Sequence, residues 1–175
     1  MDNTFFLLLF IVFCLLSMGI AGLSLAPWVP TWRKDFPRVF KLAALKPGEV
    51  FYDLGCGNGK LVLYAAKNFK VKSIGLEIAI PLFLICKLRQ FFRWDKNLNF
   101  KFKNFYNENL NCADVVYVFG RPETLKDKFK QKLKKELKPG SRVISYAFPI
   151  IGWLPKEISK PAPNDIEIYL YVLPC

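Results

Sequence analysis

The chain contains no histidine. That absence excludes Ser-His-Asp and Cys-His nucleophile triads, HExxH zinc proteases and any His-ligated metal or haem. Cysteine is sparse as well. Cys14, Cys56, Cys86, Cys112 and Cys175 are odd in number, scattered and without a CxxC pair. Neither a disulfide framework nor a metal site is expected, and the usage fits a reducing compartment. Acids are in deficit, 14 Asp+Glu against 26 Lys+Arg, for a net charge of +12 at pH 7. No RNA-binding motif is visible, so attraction to phosphate backbones is expected to be non-specific only.

No lysine or arginine precedes Arg33, and the apolar excess lies in that same stretch. Phe5–Ala26 reads FFLLLFIVFCLLSMGIAGLSLA, with only Ser17, Gly19, Gly22 and Ser24 outside the apolar set. As a helix this run spans roughly 33 Å, against about 30 Å of bilayer hydrocarbon. Trp28 and Trp32 follow at the interface position. A cleaved signal peptide would carry a basic n-region, which Met1-Asp2-Asn3-Thr4 lacks, so a retained single-pass anchor is expected. Arg33, Lys34, Arg38 and Lys41 just beyond it place the following domain on the cytoplasmic or matrix side. The expected organisation is an anchor at 1–26, a pre-domain segment and helix at 27–48, and one domain at 49–175.

Beyond the anchor, apolar spacing predicts a helix over Trp32–Leu45, stopped by Lys46-Pro47-Gly48. Strands are expected at Glu49–Leu54, Lys72–Glu77, Phe100–Phe105, Asp114–Phe119, Arg142–Phe148 and Ile166–Leu173, with a weak one at Glu157–Lys160. Helices are expected at Lys60–Asn68, Pro81–Trp94 and Pro122–Leu137. This alternation argues for a Rossmann-like, doubly wound, mostly parallel α/β sheet finished by an antiparallel hairpin. Ligands in such sheets bind at the carboxyl ends of the strands, where the strand order reverses.

The glycine turn Asp53-Leu54-Gly55-Cys56-Gly57-Asn58-Gly59 falls at that point. Glycines permit a sharp turn and close approach of a ligand, and the next helix offers free N–H groups. Glu77 ends the following strand, where a carboxylate can accept from both ribose hydroxyls. The spacing differs from the dinucleotide fingerprint, and Asp53 would face a pyrophosphate badly. A cationic ligand with an amino group suits it better, and S-adenosylmethionine has a sulfonium, an α-amino group, a ribose and no phosphate.

On these residues the chain resembles the class I seven-strand S-adenosylmethionine-dependent methyltransferases. The resemblance implies that Asp53, Gly55, Cys56, Gly57, Asn58 and Gly59 line the methionine part of the cofactor and that Glu77 holds the ribose. It also implies that Asn104 and Phe105 form the adenine site, although many members have Asp where Asn104 stands. A narrower resemblance is to the small membrane-anchored protein-lysine methyltransferases, related to those of the mitochondrial ATP-synthase c-subunit and adenine nucleotide translocase and their archaeal and bacterial relatives. It rests on Val29-Pro30-Thr31, LKPGEVFYDLGCGNGKLVLYAA, GLEIAIPLFLICKLR, VYVFGRPETL and LKPGSRVISYAFPIIGW, in that order. In such proteins the Pro-Thr segment lies over the cofactor, which makes Thr31 a lid contact.

The stretch Phe119-Gly120-Arg121-Pro122 falls where the class places its acceptor and lacks the Asn/Asp-Pro-Pro-aromatic motif of many amino-group methyltransferases. Phe119, Tyr146, Phe148 and Trp153 are expected channel walls, with Tyr146 and Phe119 the candidate catalytic residues. The expected partner is a protein presenting lysine, in a membrane or abundant in the cytosol, and a monomer is expected. The lysine-rich 122–138 helix is either a solvated face or a contact for anionic lipid. The alternatives are methylation of RNA or of a small lipophilic molecule, and a non-catalytic cofactor-binding module.

Overall fold

The computed structural model describes residues 3–25, 27–93 and 95–174. Met1, Asp2, the expected anchor end Ala26, the expected helix end Trp94 and Cys175 lie outside the described residues. Across the described residues, five α-helices and seven strands follow one another: α1 (Asn3–Ser24), α2 (Phe36–Ala43), β1 (Val50–Leu54), α3 (Lys60–Phe69), β2 (Lys72–Glu77), α4 (Ile80–Arg93), β3 (Leu98–Phe102), β4 (Val115–Val118), α5 (Asp127–Glu136), β5 (Arg142–Tyr146), β6 (Glu157–Ser159) and β7 (Ile168–Val172). The sheet order is β3-β2-β1-β4-β5-β7-β6. β1 through β5 pair in parallel, and β7 runs antiparallel to both β5 and β6. This is the expected doubly wound sheet with its antiparallel finish.

Strand alternation divides the core between two faces. Tyr52, Leu54, Ile74, Leu76, Val116 and Val118 point to the face covered by Phe129 and Leu133 of α5. Phe51, Val115, Tyr117 and Ile144 point to the other, under Phe36, Val39 and Phe40 of α2 and Leu61 and Ala65 of α3. The pre-domain helix is therefore part of the same core as the sheet. α4 covers the β3 edge on the α3 side, burying Leu82 and Cys86, with Cys86 packed among Val62, Ala66, Leu98 and Phe100.

Several boundaries differ from the sequence expectation, and three of them show their cause. The Trp32–Leu45 helix is a 3-10 turn, Arg33–Asp35, followed by α2 with Pro37 in its first turn. Pro37 has no N–H to continue an earlier helix, whereas its fixed φ suits a helix start. β3 stops at Phe102 because its ladder partner in β2, Glu77, is that strand's last residue. α5 begins at Asp127 rather than Pro122. The Arg121 N–H and the Thr124 hydroxyl instead donate to the Leu25 carbonyl, at 3.2 and 2.9 Å.

Candidate active site

β1 delivers Asp53 between Gly75 of β2 and Tyr117 of β4, at the point where the strand order reverses. The chain then turns through Gly55 and Gly57, whose φ values of +80° and +55° are left-handed and strained for any residue with a Cβ. The N–H groups of Gly55 and Cys56 both donate to the Leu76 carbonyl at 2.9 Å. The Gly57 N–H donates to Glu77 Oε2, and those of Ile78 and Ala79 to Oε1, all at 2.8 Å. The glycine turn and the end of β2 thus close on a single carboxylate.

The segment leaving α1 packs over this turn. A Cβ on Gly55 would stand 2.5 Å from Leu25 Cδ2, and one on Gly57 2.5 Å from Trp28 Nε1. Thr31 Oγ1 lies 2.6 Å from the Tyr117 hydroxyl. Beneath the strap remains a cavity of about 90 Å³, reached by Leu25, Trp28, Thr31, Asp53, Gly55–Asn58, Glu77, Asn104, Phe105, Tyr117 and Phe119. Asn104 accepts from the Tyr106 N–H at 2.9 Å and so caps the short turn that sets Phe105 in place.

Two buried acids, Asp53 and Glu77, line the cavity, as do Lys60 and Lys103. Burial pushes the Asp53 carboxyl well above the ordinary range, and the neighbouring Glu77 charge pushes it further. Asp53 accepts no side-chain hydrogen bond among the described residues although it is buried. Burial also raises Glu77, while its three backbone N–H donors pull it back down. Burial raises the Cys56 thiol as well, which leaves it a poor nucleophile.

Of the residues expected at the site, the structure brings Thr31, Asp53, Gly55, Cys56, Gly57, Asn58, Glu77, Asn104, Phe105 and Phe119 to one cavity. Gly59 stands just behind it as the left-handed N-cap of α3. Tyr146 is not on the cavity wall. Its hydroxyl donates to buried Asp35 Oδ2 at 2.7 Å, and its ring meets Phe119 edge-on at 4.9 Å. Arg121 lies in the loop that holds the strap, and its Nε is buried with no hydrogen-bond partner among the described residues. Sequence reasoning missed Tyr117, Leu25 and Trp28 as cavity residues. The first read as strand core and the other two as anchor and interface, and no local signal marked them otherwise.

The sequence model of the ANTKMT methyltransferase domain matches residues 53–157, from the acid of the glycine turn to the start of β6. A protein-lysine N-methyltransferase of Saccharolobus islandicus is 36% identical over 156 residues, covering 84% of this chain and 93% of that protein. The chain belongs to this methyltransferase family. The mouse adenine nucleotide translocase lysine N-methyltransferase is 28% identical over 147 residues, covering 82% of this chain and 62% of that protein. An RNA methyltransferase from Salinibacter ruber, solved with S-adenosyl-L-homocysteine, superposes with a TM-score of 0.77 at 26% identity, over 83% of this chain and 94% of that one.

The methyltransferase depends on S-adenosylmethionine, and its cavity fits that molecule in chemistry. The Asp53 side chain is buried with no hydrogen-bond partner among the described residues, Glu77 closes the neighbouring strand, and the glycine turn lets Leu25 and Trp28 come closer than a Cβ would allow. Small-molecule sites run to about 300–1,000 Å³, several times the space beneath the strap, where Leu25 and Trp28 stand against the glycine turn.

Proposed function

We propose that this methyltransferase N-methylates lysine side chains of proteins and works at a membrane surface, held there by α1. The observation that carries the acceptor is the 36% identity to a protein-lysine N-methyltransferase over 93% of that protein's length. In this reading Asp53 pairs with the cofactor's α-ammonium, Glu77 accepts from its ribose, Asn104 and Phe105 flank its adenine, and Thr31 with the strap closes over it. The cofactor supplies an electrophilic methyl group on a sulfonium, so the protein's task is mainly alignment.

The acceptor amine must arrive neutral, from an ordinary pKa near ~10.4. The apolar wall at Phe119 disfavours the charged ammonium by desolvation, and the released proton leaves to water. Tyr146, committed to Asp35, serves to position Phe119 and is not a base. The membrane part of the reading rests on α1, 22 residues long with an 18-residue stretch of mean hydropathy 2.7. The basic residues that follow it put the 27–48 and 49–175 segments on the cytoplasmic or matrix side.

RNA methylation is favoured by one observation, the likeness to the Salinibacter RNA methyltransferase, alongside the positive charge. Full-length protein incubated with methyl-labelled cofactor and a membrane extract decides between them. Label recovered as methyl-lysine after acid hydrolysis of the protein fraction is expected. Label confined to nucleic acid, or cofactor binding with no label transferred, overturns the lysine assignment.

A further inference from the structure

α4 is apolar nearly all round, yet it lies on the outside of the protein. Leu82 and Cys86 face inward, which is the ordinary duty of such a helix. On the opposite side Leu84, Leu88, Phe91 and Phe92 are 51% to 75% exposed, with Ile85 beside them. Their spacing of four, three and one residues sets them on one continuous arc. Together they expose on the order of 600 Å² of apolar surface, at the upper end of what soluble monomers show. Lys87 borders the arc on one side and Arg89 on the other, and Arg93 closes the helix. α4 contains no acid, and no described carboxylate pairs with Lys87, Arg89 or Arg93. An apolar arc flanked by cations that have no carboxylate partner among the described residues fits the pattern of a helix lying in a membrane interface.

Its position identifies the occupant. α1 packs on α4, where the Ile80 N–H donates to Ser17 Oγ at 3.3 Å. α1 exposes apolar side chains of its own, Phe5, Leu9 and Leu16 among them. Docking at Ser17 holds the α4 side of the domain against the helix that the anchor reading places in the bilayer.

We infer that α4 lies in the surface of an anionic phospholipid bilayer, with Leu84, Leu88, Phe91 and Phe92 in the acyl boundary and Lys87, Arg89 and Arg93 at the headgroups. The inference rests on the reading of α1 as a membrane anchor. It orients the molecule: the strap and the cavity mouth, where α1 meets α4, face the membrane. Substrate lysines would therefore be met close to the bilayer surface. α5, the other basic helix, packs on the opposite face of the sheet and exposes lysines without an apolar arc.

The test places the photo-reactive analogue p-benzoyl-phenylalanine in the full-length chain in place of Phe91, of Leu9 in α1 or of Lys134 in α5. Each protein is reconstituted into phosphatidylcholine vesicles with and without phosphatidylglycerol, irradiated and read by intact mass. Phospholipid adducts at positions 9 and 91, with none above background at 134, are expected, and omitting phosphatidylglycerol lowers the yield at 91 but not at 9. Adducts at 9 alone overturn the placement of α4 while leaving the anchor standing. Adducts at neither position remove the anchor and the inference with it. Lipid adducts at 134 in place of 91, or a covalent dimer or other protein adduct through 91, assign the arc to a different surface or occupant and overturn it equally. An equal yield at 91 in both lipids refutes the anionic component.

Discussion

Asp53→Asn separates the stability of the ligand-free fold from the affinity of the site, and the two are expected to move in opposite directions. Asp53 is buried, accepts no side-chain hydrogen bond among the described residues and lies close to Glu77, so its ionised form is disfavoured by desolvation and then by like charge. A carboxyl whose folded pKa is raised leaves stability intact below its ordinary value of about 3.9. Stability is then lost as the pH climbs through the raised value. The neutral isostere removes that loss. Ligand-free Asp53→Asn should therefore melt higher than the parent at neutral pH, with a gap that widens from the ordinary carboxyl range upward and vanishes in acid. Binding should move the other way. A hydrogen bond to a charged group contributes about 1.5–3 kcal/mol, so losing the pairing with the ammonium weakens cofactor affinity roughly 10- to 150-fold at 1.36 kcal/mol per decade. The parent should also release a proton on binding wherever Asp53 is protonated without ligand, and Asp53→Asn should release less. Scanning calorimetry across pH and titration calorimetry in buffers of different ionisation enthalpy read both effects. A variant that melts lower than the parent at neutral pH, or binds cofactor with parental affinity, refutes the placement of the ammonium at Asp53.

Other perturbations test neighbouring parts of the argument. Leu25→Ala removes a buried side chain from the strap and should lower stability by about 2–3 kcal/mol, the low end of such truncations because one side faces the cavity, while speeding cofactor association in stopped-flow fluorescence. Unchanged association would mean that the strap is not the barrier to entry. Tyr146→Phe takes the donor from Asp35 Oδ2, leaving Arg38 on Oδ1, and should cost about 1–3 kcal/mol, with kcat per folded molecule within a few-fold of the parent. Loss of turnover at full cofactor affinity would restore Tyr146 to the chemistry. Gly57→Val meets both the left-handed backbone and Trp28 and should abolish cofactor binding in titration calorimetry, and parental affinity would show that this turn is not the cradle. Iodoacetamide followed by peptide mass mapping should label exposed Cys112 and spare Cys56 and Cys86 in the native protein; rapid labelling of Cys56 would contradict its burial and raised pKa.

Much of the site was legible in one dimension because its parts are neighbours along the chain. An acid at a strand end, a glycine turn and a helix start are one local unit, and the β2 acid follows after a single helix. Hydrogen-bond periodicity within each element decides where such residues lie. The periods of two and of 3.6 residues likewise determined the order of elements, the parallel sheet and the apolar length of α1. Tertiary structure alone decided what lies opposite what. Thr31 meets Tyr117 across 86 residues, Leu25 and Trp28 fold back over the glycine turn, and the Arg121–Thr124 loop gives up helix to hold the strap. The two sides of α4 show the same division. Its sequence is apolar on both, and only packing against β3 decided which side was buried and which was left facing outward. Contacts of that kind depend on strand register and crossover, which no window of neighbouring residues contains.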